Sequence, residues 1–305
     1  MAAHHRGDPQ PRPVARPVAA ARGARASRGR GPIEPAAALL PRCSFPGPGT
    51  EVTCAVSGGA DSLALLVLAV AAGCRVTAVH VDHGLRPESV SEAQVVRAAA
   101  ERFGARFRGV AATVAPGPNL EARARAARYA VLPPGVLTGH TADDQAETVL
   151  LNLLRGAGLD GLAGMAPEGH PLLRLRRAET RALCRALVLE WVEDPSNADP
   201  AFRRNRVRAE LLPLAEAIAA RDVVPILARQ AALLRDEAAL LDSLAAGLDP
   251  CDARSLAAAP VVLARRAVRR WLADQHPPDF ATVERVLAVA RGEALAADAG
   301  GGRRV

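Results

Sequence analysis

The feature that most constrains the fold is a short apolar run that ends in a double-glycine turn and continues straight into an apolar helix. Val52–Val56 is β-rich, Ser57-Gly58-Gly59-Ala60-Asp61-Ser62 follows, and Leu63–Ala72 reads as a helix closed by Gly73. The strand-then-helix unit recurs. Arg75–Asp82 reads as a second strand, and Ser89-x-x-Glu92 is a capping box opening a helix to about Phe103. Arg106–Val110 is a third strand, Asn119 caps a helix through Tyr129, and Val136–Gly139 is a fourth strand. Thr141-x-x-Asp144 caps the next helix, which stops at Gly156. Strands separated by helices run parallel, with helices covering both faces of the sheet. The reading is an α/β, doubly wound parallel sheet. After about Pro213 strand patterns cease, and Ile226–Leu248, Val262–Gln275 and Thr282–Arg291 read as helices of a small all-helical domain. The boundaries drawn are 34–212 for the first domain and 213–305 for the second.

Residues 1–33 follow neither period and hold seven arginines against a single aspartate, so a disordered Arg/Pro/Ala-rich tail is expected. Most of the formal net charge of +7 sits there. The basic balance therefore does not argue that the folded body binds nucleic acid. All 39 basic residues are arginine. Phosphate-binding, Schiff-base and adenylate-accepting lysines are thereby excluded. The five cysteines are scattered, with no C-x-x-C pair, which disfavours a disulfide framework or a zinc site. No apolar run reaches membrane-spanning length and no signal-peptide core is present, so a cytoplasmic protein without membrane partners is expected. The oligomeric state stays open, a homodimer included.

Four groups of residues carry chemistry. In Ser57–Ser62, Gly58 and Gly59 let the backbone turn its N–H groups toward an anion. The following helix aims its positive end at the same place. Ser57 and Ser62 supply hydroxyls, and Asp61 is placed to hold Mg²⁺. The second group is His140, Asp143, Asp144 and Glu147, at helical spacing after a strand. Such a cluster could bind Mg²⁺, grip an ammonium, or take a proton from an attacking amine; Asp144 is equally placed to cap the helix. The third is Val79–Arg86, a strand ending in polar residues that include His83 and Arg86. The fourth is Glu193-Asp194-Pro195-Ser196-Asn197, turn chemistry in itself, followed by arginines suited to phosphate or RNA backbone.

SGGADS, VDHGLR, GHTADDQAETVLLNLLRGAG and DPSNADPAFRRNRVRAELLP, in this order, resemble the tRNA(Ile)-lysidine synthetases, a family of N-type (PP-loop) ATP pyrophosphatases. The resemblance is close over residues 50–215 and loose over 220–295. It implies a PP-loop fold, ATP and Mg²⁺, and two steps on the wobble cytidine of tRNA(Ile) with the CAU anticodon. ATP adenylates the C2 oxygen and L-lysine then displaces AMP, changing codon reading from AUG to AUA. It also implies roles by position. Ser57, Gly58, Gly59, Ala60, Asp61 and Ser62 bind ATP. His140, Asp143, Asp144, Glu147 and Arg125 are catalytic, and His83, Arg86, Arg204, Asn205 and Arg208 face substrate or tRNA.

Two departures accompany the match. His170 stands in His170-Pro-Leu-Leu where the family pattern leads one to expect arginine. The chain also ends at Val305, where some members continue into a further small domain. Arg265, Arg266, Arg269 and Arg270 beside Trp271 are either a compensating tRNA contact or a solvated face. Two other readings remain: a PP-loop cytidine 2-thiolase, which needs sulfur-carrying cysteines, and a non-catalytic nucleotide- or RNA-binding module.

Overall fold

The computed structural model describes residues 33–82, 89–113, 117, 120–194, 199–273 and 278–305. The expected tail, His83, Arg86, Asn119 and Pro195-Ser196-Asn197 lie outside the described residues, apart from Ile33 at the tail's end.

β1 (Glu51–Ala55), β2 (Arg75–Asp82) and β3 (Arg106–Ala111) form a parallel sheet in that order. Register places Cys54 beside Ala78 and Ala78 beside Phe107. The expected fourth strand lies on the free side of β1 but shrinks to a single bridge, Leu137 to Cys54. Leu137 donates to the Thr53 carbonyl and accepts from the Ala55 N–H, both at 2.8 Å. Thr138 N–H, on the side away from β1, donates to the Gly169 carbonyl at 2.9 Å. Pro133 and Pro134, which lack N–H donors, precede it.

This bridge sets the topology. From β1 the chain moves outward through β2 and β3, then returns to the opposite side of β1. The strand order reverses between β1 and Leu137. In open α/β sheets ligands bind at such a reversal, beyond the carboxyl ends of the strands. Residues 57–62 and 139–147 leave the sheet at that end.

Helix α1 (Ala60–Ala71) follows β1, and its Leu63, Leu65, Leu66 and Leu68 have no exposed surface. A helix apolar all round must be covered all round. The sheet covers one side, and α5 (Arg177–Ala186) covers another. Between them come α2 (Ser89–Phe103), α3 (Leu120–Val131) and α4 (Ala142–Leu154). Thr141 and Asp144 form the expected capping box of α4.

Beyond α5, a helical turn at Arg203–Arg206 passes through a π-type turn, Val207–Leu211, into α6 (Leu212–Ala219). In α7 (Val224–Ala245), Ala231, Ala238 and Ala245 form a buried stripe at seven-residue spacing, the period of a helix–helix seam. α7 packs on α4, and Arg235 donates to the carbonyls of Ala163 and Met165, each at 2.6 Å. α8 (Val261–Leu272) and α9 (Phe280–Ala290) enclose a core of their own with Val268, Leu272, Val283 and Leu287. The C-terminal region is helical, with one correction: Asp298–Gly300 and Arg303–Arg304 pair as an antiparallel hairpin. Gly300, Gly301 and Gly302 all take positive φ there, which side chains resist. Among the described residues, no helix is long and apolar enough to cross a membrane.

Candidate active site

The loop after β1 is braced from within. Gly58 has φ +94°, a backbone conformation that glycine adopts without strain, and its carbonyl accepts from Val192 N–H at 3.0 Å. Ser62 Oγ donates to the Gly59 carbonyl at 2.8 Å and accepts from Ser57 N–H at 3.2 Å. The Ser62 hydroxyl, expected to meet phosphate, therefore ties the loop into shape. Ser57 remains the exposed hydroxyl of the pair. Helix α1 begins at Ala60, so its first N–H groups and its dipole face the loop.

Gly139 joins the two halves of the site. A Cβ there would stand 2.6 Å from the Asp61 carbonyl oxygen and 3.0 Å from Ser62 N. Only a hydrogen lets the segment after Leu137 lie against the first turn of α1. His80, buried in β2, supports the same corner, its Nδ1 lying 3.0 Å from the Val56 carbonyl.

The expected acidic cluster assembles, but every carboxylate in it meets arginine. Asp143 accepts Arg176 Nε and Nη2, both at 3.1 Å, and Arg177 N–H at 2.7 Å. Asp144 accepts Thr141 N–H and Oγ1, each at 2.9 Å, and Arg177 Nη2 at 2.8 Å. Glu147 has no exposed surface, and three arginines enclose it. Arg204 Nε reaches it at 2.8 Å, Arg208 at 2.7 and 3.1 Å, and Arg177 at 3.2 Å. Arg177 also comes within 3.5 Å of Asp61, so one guanidinium spans α1 and α4. Arg176 further pairs with Asp222.

Burial opposes the ionisation of Asp144, but Arg177, His140 and Arg204 outweigh it and hold its carboxyl down to about 2. Because this folded-state value lies below the ordinary one near 3.9, its stabilisation is complete above about pH 4 and vanishes as pH falls toward 2. Thermal unfolding between pH 5 and pH 2 should show the loss, and Asp144→Asn should flatten the slope. An unchanged slope would remove Asp144 as its source.

Asp61 has the opposite tendency. Burial lifts its carboxyl above the usual range, against a Thr180 hydrogen bond and the Arg177 charge. Mg²⁺ fits here only as a partly phosphate-held ion with Asp61 as one ligand. Among the described residues no group of three His, Cys, Asp or Glu could hold a metal unaided.

The other expected residues separate. His140 lies just before α4, with Nδ1 2.7 Å from Thr138 Oγ1. Arg204 and Arg208, one helical turn apart, both face Glu147. Asn205 Nδ2 donates to the Asp199 carbonyl at 2.9 Å and closes the turn. Arg125 lies on α3, its side chain outside the described set. On α8, Arg265 pairs with Glu284 and Arg266 with Asp160 and Asp242, so internal carboxylates neutralise much of that basic face.

Sequence reading missed Arg176, Arg177 and Thr180. Two signals were present: Thr180, Leu183 and Cys184 at helical spacing, and a carboxylate cluster that only arginine could neutralise in this chain.

Residues 40–215 match the PP-loop domain family. The tRNA(Ile)-lysidine synthase of Nocardia farcinica is 45% identical over 279 residues, covering 84% of this chain and 88% of its own. That of Mycolicibacterium paratuberculosis is 47% identical over 235 residues, covering 72% and 73%. That of Mycobacterium leprae is 45% identical over 239 residues, again covering 72% and 73%. The family pattern and the paired loops at the strand reversal agree: this chain belongs to the tRNA(Ile)-lysidine synthase family of PP-loop proteins.

Proposed function

We propose that this chain is an ATP-dependent ligase that joins L-lysine to C2 of the wobble cytidine of tRNA(Ile) with the CAU anticodon. The reaction passes through an adenylated cytidine and yields lysidine, AMP and pyrophosphate. The observation that carries the reading is the contact of Gly139 with the Asp61–Ser62 peptide. It sets the phosphate loop and the carboxylate–arginine network on one crevice, so adenylation and amine transfer share a site.

The loop backbone, the Ser57 hydroxyl and the N-terminus of α1 receive the ATP phosphates, with Asp61 contributing to Mg²⁺. In a chain without lysine, Arg177 supplies the cationic side chain beside the loop. An ionised carboxylate has about four lone-pair sites. Asp143 and Asp144 each accept three N–H or O–H groups and retain room for an ammonium, whereas Glu147 is saturated by arginines. Lysine therefore docks on Asp143 and Asp144, and Glu147 acts by holding Arg177, Arg204 and Arg208. Arg125 is assigned to the ATP or the activated base, and His83 and Arg86 to substrate or tRNA, by family position alone. A cytoplasmic location follows from these substrates. The domain division at 212–213 is kept, the helical part contacting tRNA.

The thiolase alternative is not favoured. Cys184 lies against the end of the loop, its Sγ 3.4 Å from the Ala60 carbonyl, but burial pushes its thiol up to about 12. A thiol so held is a poor sulfur carrier.

The test is incorporation of labelled lysine into a CAU-anticodon tRNA(Ile) transcript with ATP and Mg²⁺. Incorporation is expected, and it should vanish when the wobble cytidine is changed to uridine. Pyrophosphate release without lysine transfer would overturn the proposed nucleophile, and failure of both reactions would overturn the enzyme reading.

A further inference from the structure

An ammonium and a guanidinium carry the same charge but need different acceptors. The guanidinium is a planar fork that lays two parallel N–H groups on the two oxygens of one carboxylate. The ammonium is compact and directs its donors at separate acceptors. The acids of this crevice offer acceptors of the second kind alone.

Asp143 Oδ2 accepts Arg176 Nε at 3.1 Å and Arg177 N–H at 2.7 Å, while Oδ1 accepts Arg176 Nη2 at 3.1 Å. Arg176 thus occupies the forked edge of Asp143 and leaves one lone pair on Oδ1. On Asp144, Thr141 N–H and Oγ1 fill Oδ2, each at 2.9 Å, and Arg177 Nη2 takes one place on Oδ1 at 2.8 Å. Arg204 stands 3.9 Å from that oxygen, beyond hydrogen-bond reach. Glu147 is filled by Arg177, Arg204 and Arg208.

Arg176 is also held from its far side. Its Nη1 donates to Asp222 Oδ2, and Asp222 Oδ1 accepts the Val224 N–H at 3.0 Å at the start of α7. The guanidinium is gripped between a carboxylate of the crevice and one fixed to another helix. Displacing it breaks both pairs.

We propose that Arg176 is a specificity-determining residue. By occupying the forked edge of Asp143 it leaves single, separate lone pairs that accept the ε-ammonium of lysine and reject the guanidinium of arginine. This rests on the lysine-ligase reading, with the amine docked on Asp143 and Asp144. Arginine resembles lysine in length and charge. In this crevice it must either displace Arg176 or bind with donors left unpaired, which is costly.

The test follows labelled-lysine incorporation in the wild type, Arg176→Met and Arg176→Lys, with L-arginine as the competing inhibitor. The lysine KM and the arginine inhibition constant come from the same preparation, so their ratio does not depend on the fraction of enzyme that is folded. Removing a positive charge strengthens binding of any cation, and the ratio cancels that effect too. In Arg176→Met the arginine constant should fall relative to the lysine KM by about 10-fold or more, the effect of one charge-assisted hydrogen bond. Arg176→Lys keeps the charge but cannot cover both oxygens, so its ratio should move the same way. Equal tightening of lysine and arginine in Arg176→Met would reduce Arg176 to a charge and overturn the proposal. So would a wild-type ratio in Arg176→Lys, or a wild type inhibited by arginine as tightly as it binds lysine. Absence of lysine transfer in the wild type would instead sink the ligase reading itself.

Discussion

Glu147→Ala will cost about 3–5 kcal/mol of folding stability and abolish lysidine formation. The carboxylate is wholly buried and faces Arg177, Arg204 and Arg208. Removing it leaves three guanidinium groups around an empty space, with partial compensation for Arg177 through Asp144 and Asp61 and for Arg204 through Asp144. At this chain size the loss corresponds to a fall of roughly 10 °C in Tm. Arg208→Ala is the control, because Glu147 then keeps two cationic partners and the loss should be smaller. Calorimetry on both variants, with labelled-lysine incorporation, checks the expectation. A Glu147→Ala protein melting with the wild type would show that the network contributes nothing to the fold.

Gly139→Ala should be as damaging to activity as a change in the phosphate loop itself. The added methyl would overlap backbone atoms, the Asp61 carbonyl oxygen at 2.6 Å and its carbon at 2.8 Å, and neither can rotate away. Either the first turn of α1 moves or the segment carrying His140 and Asp143 does. A displacement of about 1 Å between reacting groups costs on the order of 100-fold in rate. Pyrophosphate release and lysine transfer should fall together, because the contact sets both halves of the site. Gly135→Ala is the contrasting change: it meets nothing within 4 Å, although its φ of +73° strains the backbone. Normal pyrophosphate release from Gly139→Ala would falsify the claim that this contact aligns the site.

Local pattern was enough to read the elements that carry the motifs. β2 appears at Arg75–Asp82 as the alternation predicts, and the Thr141–Asp144 box opens α4. Both are decided within a few residues, by a strand's period and a reciprocal cap. The fourth strand was placed correctly in the sheet but overextended. Only Leu137 bonds to β1, and Thr138 on the other side is held by the Gly169 carbonyl, some thirty residues away. The closing hairpin was missed because two short strands around three glycines leave almost no periodic signal.

The site divides in the same way. Which residues bear the chemistry was legible, since a glycine turn between strand and helix and a cluster of acids after a strand are properties of neighbouring residues. What those groups are free to do was not. Arg176 and Arg177 lie more than 25 residues from the carboxylates they neutralise, and Arg204 and Arg208 lie farther still. His140 and three acids, Asp143, Asp144 and Glu147, read as an open amine pocket; folded, all three acids are engaged by arginine. Sequence by itself determined the elements, the phosphate loop and the family, because these depend on local backbone preference and residue identity. Only tertiary structure decided which charges meet. Ionisation is set by distance and burial, and both arise when remote segments pack together.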